Sequence, residues 1–155
     1  MFGLPIILAA LALNGAPTSI PVTCNPAADA RGAAASTFFT PGTTTPLRTE
    51  FGTQVCAGLV WLAASPAERV KILALNPAWT LTRFDRAAGV ALIVVLHETR
   101  HDAGDRNEAH TEACAMTHLD AFAAQWAPAS DLAIIVGFAR TYDAELPADY
   151  HGAVC

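Results

Sequence analysis

The chain carries little charge and almost no lysine. Charged residues make up 15% of its 155 residues, and Lys71 is the one lysine among nine basic residues. No cluster of Lys and Arg occurs, so the electrostatic footprint of a nucleic-acid binder is missing and no nucleic-acid partner is expected. Long polar, charged runs are missing too, which excludes a large disordered region. No internal repeat is visible, and the length fits one domain with one core. The longest uncharged apolar stretch, Phe2 to Leu13, is too short to cross a bilayer comfortably as a helix, so no stable membrane span is expected. None of the four cysteines, Cys24, Cys56, Cys114 and Cys155, belongs to a CxxC pair, which argues against a cysteine zinc site.

What is present is alanine. Hydrophobic residues reach 53%, and alanine supplies much of the excess. Such a composition favours helix over sheet.

Residues 1–16 read as a signal-like apolar segment, with small residues at Ala10, Ala12 and Ala16. The usual positive residues before the apolar part are absent. The other reading of the segment is a buried N-terminal helix or strand. With export, an even number of widely spaced cysteines points to two disulfides, and a secreted or extracytoplasmic location is expected. Four cysteines allow three connectivities. Cys24–Cys56 with Cys114–Cys155 is favoured, because the N-terminal arm and the C-terminal tail otherwise have little to hold them. In a cytosolic setting the same cysteines would be buried thiols.

Residues 17–46 are rich in Pro, Thr, Gly and small side chains and read as an irregular arm. A short strand at Ser36–Thr40, a turn at Pro41-Gly42 and a return at Thr43–Thr45 give at most a hairpin. Residues 47–155 read as a helical zinc-binding domain. Phe51, Val55, Leu59 and Leu62 recur at helical spacing up to about Ala64. Ser65-Pro66 starts a second helix, which stops before Asn76-Pro77. A third begins near Arg83, is apolar almost continuously from Ala87 to Leu96, and is therefore expected to be buried. Gly104 ends it in the left-handed conformation. Asp105 caps a fourth, from Arg106 to about Trp126, and Ser130 caps a fifth. The fold class is mainly α: about five helices around a two-helix metal core.

The third helix runs into His97-Glu98-Thr99-Arg100-His101. Histidines four apart on a helix share one face and can reach one tetrahedral ion. Glu98 can then face a metal-bound water as general base, which is the mechanical content of HExxH. Zn2+ suits imidazole and carboxylate ligands. A glycine turn follows, and the next helix folds back over the first. Glu108 lands about one turn into that helix, where its carboxylate completes a three-ligand set and leaves a fourth position open.

At these residues the sequence resembles the gluzincin metallopeptidases, thermolysin-like enzymes among them. Their pattern is HExxH followed on a second helix by Asn-Glu-Ala-x-x-Asp. Asn107-Glu108-Ala109 matches the start of the second element, and Glu112 stands where the family has Asp. By that resemblance Glu108 is the third ligand, and Glu112 is the carboxylate that orients His97. The resemblance covers Leu96 to Ala115, with a spacer far shorter than the family's. It also implies a downstream Tyr or His as oxyanion donor; Tyr150 and His151 in the tail are the candidates, while Tyr142 reads as core. The chain is also similar to small exported actinobacterial proteins with HExxH, a glycine and a Glu-Ala on the next helix, a likeness that supplies no substrate. His97-Glu98-x-x-His101-x-x-Gly104-x-x-Asn107 further resembles the metzincin frame, with Asn107 in place of its third histidine. A charged carboxylate is the better ligand, so Glu108 is preferred. His110 and His118 read as residues of a solvated helix face.

Two functions follow as expectations. The first is a zinc-dependent hydrolase acting on a peptide or protein substrate. The second is a non-catalytic zinc-containing binding module that retains the two-helix core.

Overall fold

A computed structural model describes residues 3–30 and 33–155. The first two residues of the signal-like segment, and residues 31 and 32 of the arm, lie outside the described residues. The protein is mainly helical, with one small sheet. Its elements are α1 (Leu4–Asn14), β1 (Val22–Cys24), α2 (Ala27–Ala30), β2 (Ala35–Phe39), β3 (Pro46–Phe51), α3 (Thr53–Ala63), α4 (Pro66–Leu75), α5 (Leu81–Asp102), α6 (Glu108–Trp126), α7 (Leu132–Ala144) and a short 3-10 turn at Ala148–Tyr150.

Helix α5 is the axis of the molecule. It is buried from Ala87 through Thr99 without a break, as its continuous apolar character demands. α1, α3, α6 and α7 pack around it. Close approach is bought with glycine at two crossings. A Cβ on Gly58 would collide with the Ala87 carbonyl, and one on Gly89 would come within 2.5 Å of the Ile135 carbonyl oxygen. Trp61 stacks on Phe84, with ring centroids 4.6 Å apart, and donates its indole N–H to Asp85 at 3.1 Å. Ser65 and Glu68 close a capping box that starts α4.

The seven α-helices among the described residues exceed the five expected. The additions are α1, built by the signal-like segment, and the single-turn α2. α1 buries Ile6, Ile7, Ala10 and Leu11. Its last residue, Asn14, donates to the Leu96 carbonyl at 3.1 Å and to Thr99 Oγ1 at 2.8 Å, beside the first histidine of the motif.

The arm is more ordered than a hairpin. β2 and β3 are antiparallel, and β1 adds in parallel to the other side of β3, giving the order β1-β3-β2 with β2 at an edge. The return strand is Pro46–Phe51 rather than Thr43–Thr45, which form the turn: Thr40 N–H donates to the Thr45 carbonyl at 2.9 Å. The first helix of the domain accordingly starts at Thr53. The Phe51/Val55 spacing straddles a strand–helix junction at Gly52 and so mimics a helical period across two elements. Asp29 on α2 caps α3 by accepting from the Thr53 N–H at 3.0 Å. Two other caps move by one or two residues. Asn107, not Asp105, caps α6 by accepting from the His110 N–H at 2.9 Å. Asp131, not Ser130, stands at the start of α7.

Both disulfides are formed, Cys24–Cys56 and Cys114–Cys155. The first ties the sheet to α3 and the second ties the end of the tail to α6. No described helix is long and apolar enough to cross a membrane.

Candidate metal centre

The site lies where α5 ends and α6 returns. Gly104, at φ +98°, makes the reversal that a side chain would strain. Asp105 then organises the turn. Its carboxylate accepts from Asn107 N–H at 3.1 Å and from Arg100 Nε at 3.3 Å, and it also meets His110 Nδ1. Together the backbone N–H of Asn107 and the Arg100 and His110 side chains hold the Asp105 carboxyl below its usual range, against the opposing effect of burial. The backbone carbonyl of Asp105 is the anchor for His101, whose Nδ1 donates to it at 2.7 Å.

His97 is anchored the same way from the other helix. Its Nδ1 lies 2.7 Å from Glu112 Oε2, and both groups are buried. A carbonyl and a carboxylate only accept, so both imidazoles carry their hydrogen on Nδ1. Their Nε2 lone pairs then face inward, 3.0 Å apart. Glu108 Oε2 joins them at 3.1 Å from His97 Nε2 and 3.3 Å from His101 Nε2. Three electron-rich atoms cannot converge like this without a cation between them, be it a proton or a metal. His97, His101 and Glu108 thus form a group that can hold a metal ion. The outer nitrogens are held as metal-ligating histidines require.

The electrostatics agree. Burial opposes a charge on His97, yet Glu108 and Glu112 override it and raise the imidazole to about 9. His101 is also raised against burial, chiefly by Glu108. The two imidazoles, His101 first, hold the Glu108 carboxyl well below the usual carboxylate range. Glu112 keeps its second oxygen buried without a hydrogen-bond partner.

Glu98 sits beside this group and is buried. Burial raises its carboxyl, against the pull of His97 and His101. It lines two cavities that share His97 and Tyr150 as walls, of about 260 and 370 Å³. β2 forms one side of both, through Ala35 in each and Thr37 in the larger. The tail also lines both, through Tyr150. Tyr150 stacks on His97, with centroids 5.7 Å apart and planes 29° from parallel. Burial first, then Glu108 and Glu98, raises its hydroxyl above the ordinary tyrosine value, so it remains an O–H donor.

The geometry thus gathers His97, Glu98, His101, Glu108, Glu112 and Tyr150. It leaves His151 outside: that ring is exposed and bonds the Leu146 carbonyl at 3.3 Å. The Asn107 side chain is occupied as the α6 cap. His110, half-exposed, meets Asp105 and lies 3.7 Å from Cys114 Sγ. Tyr142 is half-buried, packed against the core, and also reaches the smaller cavity.

Sequence reasoning missed Thr37, Thr49 and Asp102. Thr37 Oγ1 donates to Glu98 Oε2 at 2.7 Å, and Thr49 Oγ1 donates to Asp102 Oδ1 at 2.7 Å. Burial pushes the Asp102 carboxyl up to about 6, although the Thr49 hydroxyl works against it. Asp102 adjoins the motif and was legible as a candidate; nothing near the motif in sequence points to the threonines.

Comparison with protein-family models, with curated proteins and with solved structures returned no match.

Proposed function

We propose that the protein is a zinc-dependent hydrolase, and within that class a peptidase, working outside the cytoplasm. The observation that carries this is the convergence of two imidazole nitrogens and one carboxylate oxygen on a single point, with a non-ligand carboxylate, Glu98, on the wall of the adjoining cavities. Three protein ligands leave a coordination position open, whereas structural zinc sites are usually closed by four and often use cysteine. Here all four cysteines are in disulfides. Zinc, when bound, supplies a Lewis acid that polarises a carbonyl and acidifies water.

The chain's own residues supply the rest. Glu98 takes the proton of the attacking water and returns it to the leaving amine. Tyr150 donates its hydroxyl to the oxygen on which negative charge develops. Glu112 and the Asp105 carbonyl keep the imidazoles in the metal-binding tautomer. β2 is an edge strand on the cavity wall, so it offers backbone groups to an extended chain, which favours a peptide substrate. The two disulfides support an oxidising setting.

Three variants test the reading against a quenched-fluorescent peptide library and a zinc assay. Glu98→Gln is expected to keep zinc and lose hydrolysis. Glu108→Ala is expected to lose zinc and melt at lower temperature, since metal affinity is partly folding free energy. Glu112→Ala is expected to weaken zinc about 10- to 100-fold. A parent protein that takes up no zinc sinks the site. Zinc uptake with no hydrolysis in any condition leaves the non-catalytic binding module instead.

A further inference from the structure

The hairpin does more than wall the cleft. Thr37 on β2 and Thr49 on β3 are directly opposite each other in the register. Their hydroxyls lie 2.8 Å apart. Glu98 and Asp102 are four apart on α5, so they stand one turn apart on the same face. The threonine pair lies between the two carboxyl groups in the order Glu98, Thr37, Thr49, Asp102, with spacings of 2.7, 2.8 and 2.7 Å; the Thr37 hydroxyl gives its one hydrogen to Glu98, and Thr49 has one hydrogen to share between Thr37 Oγ1 and Asp102 Oδ1. Thr49 is fully buried and Asp102 nearly so. A glutamate on a helix surface has three side-chain torsions to sample. A charge-assisted hydrogen bond from a rigid strand removes much of that freedom. Thr is itself stiff at its first torsion, and here its hydroxyl oxygen lies against that of Thr49.

We propose that Thr37 is a positioning residue for Glu98, backed by its cross-strand partner Thr49, so that the edge strand lining the cleft also aims the general base. The inference rests on the proposed role of Glu98. Thr37 touches neither the ligand group nor the reacting atoms; it acts through the glutamate. One consequence is that the strand offered to a substrate and the orientation of the base are mechanically joined.

The probe is acetohydroxamic acid, which chelates zinc through its two oxygens and gives its proton to a carboxylate beside the metal. Its binding to the zinc-loaded protein is measured by calorimetry, with zinc affinity measured alongside. Glu98→Gln is expected to weaken hydroxamate binding most. Thr37→Val keeps the branched shape but removes the hydroxyl, and is expected to weaken it by roughly 10-fold with zinc affinity unchanged. Thr37→Ser is expected to restore binding. If Glu98→Gln weakens the probe and Thr37→Val binds it like the parent, the positioning role is overturned while the general base stands. If Thr37→Val loses zinc and probe affinity by the same factor, the contact is merely structural and the proposal is overturned. If Glu98→Gln binds like the parent, the reading of Glu98 itself fails, whatever Thr37 does. Should Thr37→Val not fold, Thr49→Val carries the test. It removes the backing hydroxyl and leaves that of Thr37, so it is expected to weaken the probe in the same sense by a smaller factor, and parent-like binding overturns the proposal.

Discussion

A single proton is the natural rival of a metal at His97. Glu108 and Glu112, working against burial, raise this imidazole to about 9, so near neutral pH the metal-free site is filled by a proton. The raised value has a sign in stability. It exceeds the ordinary 6.5, so the metal-free protein enjoys the interaction in full below about 6.5 and loses it as pH rises to about 9. The same value has a sign in binding. Zinc must displace the proton, so uptake at pH 7 is expected to release it, and apparent affinity is expected to rise by about tenfold per pH unit for each proton displaced. Release should fade above about 9. Calorimetry in buffers of different ionisation heat counts the protons. Zinc uptake at pH 7 without proton release would show that the Nε2 atoms meet as bare lone pairs, and the electrostatic account of the group would be wrong. The residues in this argument were legible because HExxH compresses geometry into spacing: one helical turn puts two imidazoles on one face. Tyr150 was legible as a tail residue with the right chemistry. Thr37 and Thr49 were not, because their relation to Glu98 is made by strand pairing that brings together residues 61 apart in sequence.

At the level of elements, the long amphipathic or apolar segments were readable and the short ones were not. α4 announced itself by Ser65 and Pro66, and α5 by an apolar run that only a buried axis tolerates. The three-stranded sheet did not, because strands of three to six residues carry too few alternations to set a period. β3 is the instructive case: its pairing on both sides makes it central, yet Leu47 and Arg48 are exposed and only Thr49 to Phe51 are buried. α1 is the element whose role is open to the sharpest test. It was legible as apolar, but an apolar segment of this length fits a signal and a packed helix equally. In the chain that begins at residue 1, Asn14 gives α5 two hydrogen bonds, one to Leu96 and one to Thr99. Asn14→Ala is expected to destabilise that chain by about 1 to 2 kcal/mol, since two bonds of roughly 1 kcal/mol net each are lost. Thermal melting of the two chains reads it, with intact mass measured on the same samples. An unchanged melting temperature at full mass would mean that α1 contributes nothing through its C-terminal end.

For the whole molecule, the open question is what keeps the tail on the site. Beyond α7 the hydrogen bonds are local: Tyr150 N–H to the Pro147 carbonyl at 3.0 Å, His151 N–H to Ala148 at 3.2 Å, and the His151 ring to Leu146 at 3.3 Å. The ion pairs, His151 with Asp143 at 3.9 Å and Glu145 with Arg86 at 4.0 Å, are partly to largely exposed and worth little. Val154 is 85% exposed, so burial does not hold the end either. What remains is the stack of Tyr150 on His97 and the Cys114–Cys155 bond, which fastens the tail to the helix that carries Glu108 and Glu112. A wall of the cleft is therefore held by a covalent tie and one stacked ring, with little else buried behind it. Replacing both cysteines, Cys114→Ser with Cys155→Ser, is expected to lower the melting temperature, since a closed loop of this size is worth about 3 to 4 kcal/mol in the chain-entropy model. It is also expected to speed extraction of bound zinc by a chelator, because the ring over His97 is freed. Cys24–Cys56 closes a loop of similar size, 32 residues against 41, but lies on the sheet and α3. Its double serine variant should melt lower by a comparable amount and yet release zinc at the parent rate. Stopped-flow measurement with a chromogenic chelator compares the two. If both variants release zinc faster to the same degree, extraction follows global opening, and the tail is not what guards the metal; if only the first does, access to the site is governed by the bond that fastens the tail to α6.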